Sequence, residues 1–220
     1  MGLLYATCLG LVRGVFFCTL RTTVDSRHLM QRDGAFVLAV THLSHLEPLF
    51  ASALSARPID WIARKEFFWP RPVAWFLRGL NAIRIDRQGR PVLALRTAIR
   101  RLHAGRVVGI FPEGGVVRGP RAAIRGGTIR KGCCTIAIRA GAPIVPCVML
   151  GTDKLNKVKP WLPFRRAHIW VAYGDPIFPP AGVRSTRATR EELATRIRAA
   201  FGEIYAGLRQ RHQICDSTVP

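Results

Sequence analysis

From residue 35 onward the chain alternates short apolar runs with longer stretches in which apolar residues recur every three or four positions. The short runs fall at 35–41 (AFVLAVT), 59–63 (IDWIA), 81–86 (NAIRID), 106–111 (RVVGIF), 143–149 (PIVPCVM) and 167–173 (AHIWVAY). Several are β-branched and bounded by Gly, Pro or Asp, which predicts strands. Helical periodicity predicts helices at 48–56, 71–79, 90–104, 130–140 and 188–211. Strand and helix in regular succession predict an α/β fold, a single domain whose mixed, mostly parallel sheet is flanked by helices. In such sheets ligands bind beyond the carboxyl ends of the strands.

The first twenty residues lack this rhythm. "MGLLYATCLGLVRGVFFCTLR" is nearly all apolar through Leu20, with Arg13 near its middle. A secretory signal carries its positive charge ahead of the apolar run, and here the first twelve residues carry no basic side chain. Spanning a bilayer takes about 20 apolar residues, and an arginine near the centre costs about 2.5–3.5 kcal/mol. The pattern fits a helix lying in the membrane interface, with a first helix packed on the protein's own core as the alternative. The expected division is an N-terminal membrane-associating helical segment over 1–30 and one α/β domain over 31–220.

Charge narrows the choice of partners. The 220 residues carry 34 Lys and Arg against 13 Asp and Glu, a net charge of +21. Nucleic acid, an anionic membrane and an anionic substrate such as a phospholipid or coenzyme A each answer such an excess. The arginines are scattered, with no zinc-finger or RNA-binding signature, so no nucleic acid partner is expected. The six cysteines form no C-x-x-C pair, and neither a structural metal nor a tightly bound cofactor is expected. Residues 152–166 (TDKLNKVKPWLPFRR) mix five basic residues with Trp161 and Phe164 and read as either a charged loop or a membrane-facing one.

Candidate chemistry begins at "THLSHLEPLF", residues 41–50. His42 and Glu47 are five positions apart, so on one continuous helix they diverge by about 140°. A turn after the strand, with a helix starting near Glu47, brings the imidazole to the carboxylate and leaves its other nitrogen to take a proton. Ser44-x-x-Glu47 also has the spacing of a capping box. Pro48 favours a helix boundary at Glu47, where proline takes the first helical position. Local physics leaves both readings open.

Four stretches in order carry a resemblance. "HLSHLEP" is similar to the H-x-x-x-x-D motif of the glycerolipid acyltransferases, the lysophosphatidic acid acyltransferase superfamily, with Glu for Asp. "GLNAIRIDRQG", "GIFPEGGVVRG" and "APIVPCVMLG" resemble that family's second, third and fourth blocks, and the likeness runs from about residue 35 to 180. The resemblance implies acyl transfer from acyl-CoA or acyl carrier protein to a lysolipid hydroxyl, 1-acylglycerol-3-phosphate first among acceptors. It implies His42 as general base and Glu47 as the group that orients it, with Ser44 and His45 in lesser roles. It further implies that Arg87, Glu113 and Gly114 help hold the acceptor phosphate.

Arg84 at the same strand end, Gly115 in the glycine turn, Arg118 beyond it and Lys131 join the substrate-binding candidates, with Arg125 and Arg130 beside Lys131 as further cations. Two departures matter. Glu47 is one methylene longer than Asp, and Gly115-Val116 replaces the family's Thr-Arg. A non-glycerophosphate lysolipid, such as an aminolipid or glycolipid, is therefore the alternative acceptor. A non-catalytic basic protein binding lipid or nucleic acid is the alternative outside catalysis. The expected location is the cytoplasmic face of a membrane, on a monotopic or single N-terminal helix.

Overall fold

A computed structural model of the chain describes residues 3–30, 32–69, 71–89, 91–156 and 167–215. It is an α/β fold built on one seven-stranded sheet. The strands are β1 (Leu20–Asp25), β2 (Phe36–Val40), β3 (Ile59–Arg64), β4 (Ile83–Ile85), β5 (Val107–Ile110), β6 (Ile144–Leu150) and β7 (Ala167–Tyr173). Their order is β1-β7-β6-β2-β5-β3-β4, with β6 and β7 antiparallel and every other pair parallel. The helices are α1 (Leu3–Thr19), α2 (Glu47–Leu54), α3 (Arg71–Gly79), α4 (Pro91–His103), α5 (Gly132–Ala140) and α6 (Arg187–His212).

The central strand shows why the sheet is covered on both sides. All five residues of β2 are buried, as a parallel strand between two helical layers requires. Their two-residue period splits them between two cores. Val37 and Ala39 pack with Ala98 of α4, Ile136 of α5 and Phe201 of α6. Phe36, Leu38 and Val40 pack with Phe16 of α1 and Phe50 of α2. Because β2 to β6 run parallel, their carboxyl ends open on one edge of the sheet.

Two elements bear on the expectations for the first thirty residues. β1 was not predicted, since "LRTTVD" reads as polar. It is an edge strand paired along its length with β7, so backbone pairing fixes it while most of its side chains stay partly exposed. α1 packs its inner side on the domain. Tyr5 and Leu9 meet Leu80, and the Phe16 and Phe50 rings lie 5.3 Å apart. Arg13 donates from Nε and Nη2 to the carbonyls of Ala53 and Ser55, each at 2.9 Å. No helix among the described residues is long and apolar enough to cross a membrane. Of the 152–166 loop, residues 157–166, with Trp161 and Phe164, lie outside the described residues.

Candidate active site

Five parallel strands deliver the site. His42 follows β2, Arg64 ends β3, Arg87 follows β4, Glu113 and Gly114 follow β5, and Thr152 follows β6. Thr41 keeps its N–H on the Cys147 carbonyl at 3.1 Å and accepts the Met149 N–H on its hydroxyl at 3.2 Å, so the chain leaves the sheet only at His42. It then turns and enters α2 at Glu47. Leu46 occupies the helix cap with no side-chain cap bond, and Pro48 sits in the first turn. The capping-box reading thus gives way to a different use of the carboxylate.

Glu47 Oε2 lies 2.8 Å from His42 Nδ1. The carboxylate is fully buried, a cost met by hydrogen bonding. The Leu43 N–H donates to both oxygens at 3.0 and 3.1 Å, and the Thr152 hydroxyl donates to Oε1 at 2.6 Å. The extra methylene of glutamate therefore ends in a fitted seat. The imidazole is held on one face as well. Its ring stacks on Phe111 with centroids 4.1 Å apart, and Phe111 stacks on Trp61 at 5.0 Å. His45 is exposed and approaches His42 edge-on, with ring centroids 5.9 Å apart.

Glu113 faces inward. Its Oε2 accepts the His42 N–H at 2.6 Å and its Oε1 accepts the Ala123 N–H at 2.8 Å. Val117 N–H donates in turn to the His42 carbonyl at 3.0 Å. Glu113 is thus a brace between the His42 turn and the glycine loop. Burial pushes its carboxyl pKa up, against the two backbone N–H groups that hold it down.

The cations divide into two groups. Arg64, Arg87 and Arg130 line a cavity of about 460 Å³ together with His42. Arg87 Nη1 donates to the Gly114 carbonyl at 2.5 Å. Burial, then the Arg130 and Arg64 charges, lower the Arg87 pKa from its ordinary value. Gly114 has φ +78°, a conformation that favours glycine, and a Cβ there would push against the Arg130 side chain. Arg84, Arg118 and Lys131 do not line this cavity. Arg84 and Arg118 are exposed, and Lys131 pairs with Glu191 of α6. Gly114 and Gly115 do line it. Away from the arginines the wall is apolar, with Leu49, Ile62, Phe76, Leu77, Leu80 and Ile85.

Sequence reasoning missed Arg64 and Thr152 and left Arg130 among unassigned cations. The signal was available in the strand-end rule, because Arg64 directly follows one predicted strand and Thr152 comes shortly after another.

An α/β scaffold with a histidine–carboxylate pair, a cationic rim and an apolar cavity at its strand ends is an arrangement suited to acid–base chemistry on a substrate that is part anionic and part apolar. The chain belongs to the acyltransferase family, whose model matches residues 21–150, and it is an O-acyltransferase. A 1-acyl-sn-glycerol-3-phosphate acyltransferase of Bacillus subtilis (strain 168) is 23% identical over 175 residues, covering 79% of this chain and 82% of that protein. The fold resembles the solved structure of the 1-acyl-sn-glycerophosphate acyltransferase from Thermotoga maritima, with a TM-score of 0.68 at 22% identity, over 92% of this chain and 81% of the other.

Proposed function

We propose that the chain transfers a fatty acyl group from acyl-CoA or acyl carrier protein to the hydroxyl of 1-acylglycerol-3-phosphate, at the cytoplasmic face of a membrane, in phospholipid synthesis. The observation that carries this reading is the buried His42–Glu47 pair, 2.8 Å apart, on a cavity that is cationic at one side and apolar at the other. Glu47 fixes Nδ1, leaving Nε2 to take the proton of the acceptor hydroxyl. The alkoxide oxygen attacks the thioester carbonyl carbon, the C–S bond breaks, and the imidazolium returns its proton to the thiolate. Glu47 supports the charged imidazolium during that interval.

Arg64, Arg87 and Arg130 suit a phosphate on the acceptor, since guanidinium groups meet phosphate oxygens through paired donors. Arg130 over Gly114 supplies a cation where the third block lacks its usual arginine, which favours the glycerophosphate acceptor over an uncharged glycolipid. The apolar wall suits an acyl chain.

The test is incubation of the purified chain with acyl-CoA and a panel of lysolipids, read by mass spectrometry. Acylated product is expected with 1-acylglycerol-3-phosphate above all others. His42→Ala is expected to lower turnover about 10²–10⁴-fold with the fold intact. Wild-type turnover by that variant overturns the assignment of the base.

A further inference from the structure

α3 forms part of the cavity wall, and its two sides differ in a way the reaction does not explain. Inward, Phe76 and Leu77 line the cavity, joined by Leu80 just past the helix end. Outward, Arg71, Trp75 and Arg78 stand at i, i+4 and i+7, one exposed stripe with a tryptophan between two arginines. Trp75 is 59% exposed, and Trp69, in the turn before α3, is 88% exposed. Val73 and Phe67 are partly exposed as well, and both line the cavity at its mouth.

Clustered exposed aromatics mark an interaction surface rather than a random scatter of apolar residues. The segment 64–78 carries Arg64, Lys65, Arg71 and Arg78 against one acid, Glu66, which pairs with Arg64 at 3.3 Å. Tryptophan beside arginine is the chemistry of a headgroup layer, where the ring sits at the apolar boundary and the guanidinium meets lipid phosphate.

We propose that the Trp69–Arg78 surface docks on an anionic bilayer, so that α3 lies in the headgroup layer with its inner side lining the acyl cavity. One helix then serves as the shared wall between lipid and site, and a lysolipid reaches the arginines without crossing water. Phe67, exposed and also lining the cavity, stands at that passage. The identity of the passenger rests on the proposed lysolipid reaction, whereas the docking rests on the surface alone. An acidic carrier protein is the competing occupant, but two exposed tryptophans favour lipid.

The test uses the full chain with vesicles of phosphatidylcholine, with and without phosphatidylglycerol, read by co-sedimentation and tryptophan fluorescence. Wild type is expected to bind the anionic vesicles with a blue-shifted emission. Trp69→Ala/Trp75→Ala is expected to weaken partitioning at least about tenfold. Arg71→Gln and Arg78→Gln are each expected to weaken it about fivefold, and only where phosphatidylglycerol is present. On a short-chain, monomeric acceptor the variants keep wild-type turnover. Wild-type vesicle binding by the tryptophan variant overturns the proposal. So does unchanged vesicle binding coupled to a loss confined to acyl carrier protein as donor. If wild type transfers no acyl group at all, the reaction falls, and vesicle binding still decides the docking surface.

Discussion

At the residue scale, the departure from the family's aspartate at position 47 has a structural answer. The carboxylate reaches His42 because it is also held from behind by Thr152 and by the Leu43 N–H. Thr152 is a positioning residue in this arrangement. Thr152→Val removes a buried donor at nearly constant shape and is expected to lower kcat about tenfold with little change in KM, while Thr152→Ser keeps near wild-type turnover. Glu47→Asp withdraws the carboxylate by roughly a bond length. In that background the valine substitution is expected to cost little further, a non-additivity that steady-state rates on the four proteins of the cycle reveal. A merely structural threonine would give additive losses. Glu113 offers a second check. Glu113→Gln places an amide NH₂ against one of two backbone donors and is expected to cost about 1–3 kcal/mol in urea unfolding. Burial raises the carboxyl pKa in the folded chain above its unfolded value, so the folded state binds the proton more tightly. The contribution is therefore fully present below the unfolded value and is lost as pH rises through the raised one. The stability gap between wild type and variant is expected to shrink as pH rises through the mildly acid range and to stay level above it.

At the scale of elements, the six predicted strands and five predicted helices are all present, within a few residues at each end. Their apolar periods were strong because each element packs against another, and burial writes itself into sequence as period 2 or 3.6. β1 was illegible for the converse reason. Its partner β7 supplies backbone hydrogen bonds, which any side chain permits, and its polar side chains stay at least partly exposed. The site was partly legible by the same logic. His42, Glu47, Arg87, Gly114 and Gly115 lie in short motifs, whereas Thr152 is 105 positions from the Glu47 it serves and meets it only through the neighbouring ends of β2 and β6. α1 adds a case in which one residue changes the meaning of an element. Arg13, costly in a bilayer-spanning helix, closes the carboxyl end of α2 by donating to Ala53 and Ser55. Arg27 also donates to the Leu54 carbonyl, at 3.3 Å. Arg13→Ala is expected to destabilise the chain by about 1–2 kcal/mol in urea unfolding. It is also expected to loosen α1, read as faster hydrogen exchange in Leu3–Thr19 and α2 than in β2.

At the scale of the whole molecule, a net charge of +21 opposes compaction, and three of the arginines are gathered on one cavity wall. Arg87 already registers this crowding, since the Arg130 and Arg64 charges add to burial in lowering its pKa. Such a cluster persists in the free protein because sheet, turn and glycine loop fix it independently. Arg64 ends β3, Arg87 is tied to the Gly114 carbonyl, and Arg130 donates its backbone N–H to Pro112 at 2.7 Å. An anion that bridges the three relieves mutual repulsion and binds the folded state alone, so it raises stability by mass action. Glycerol 3-phosphate, which offers the phosphate without an acyl chain, is expected to raise Tm in wild type. At a hundred times its Kd the gain is about 2.7 kcal/mol, or roughly 5–11 °C for a chain of this size. Arg87→Met or Arg130→Met is expected to abolish most of that shift, and Arg130→Met to raise the Tm of the free protein slightly as well, because one member of a like-charged group has gone. Glycerol alone should produce no difference between wild type and variant. If the phosphate ester stabilises wild type and both variants equally, its charge is being met elsewhere on a highly basic surface, and these arginines do not form the acceptor's phosphate site.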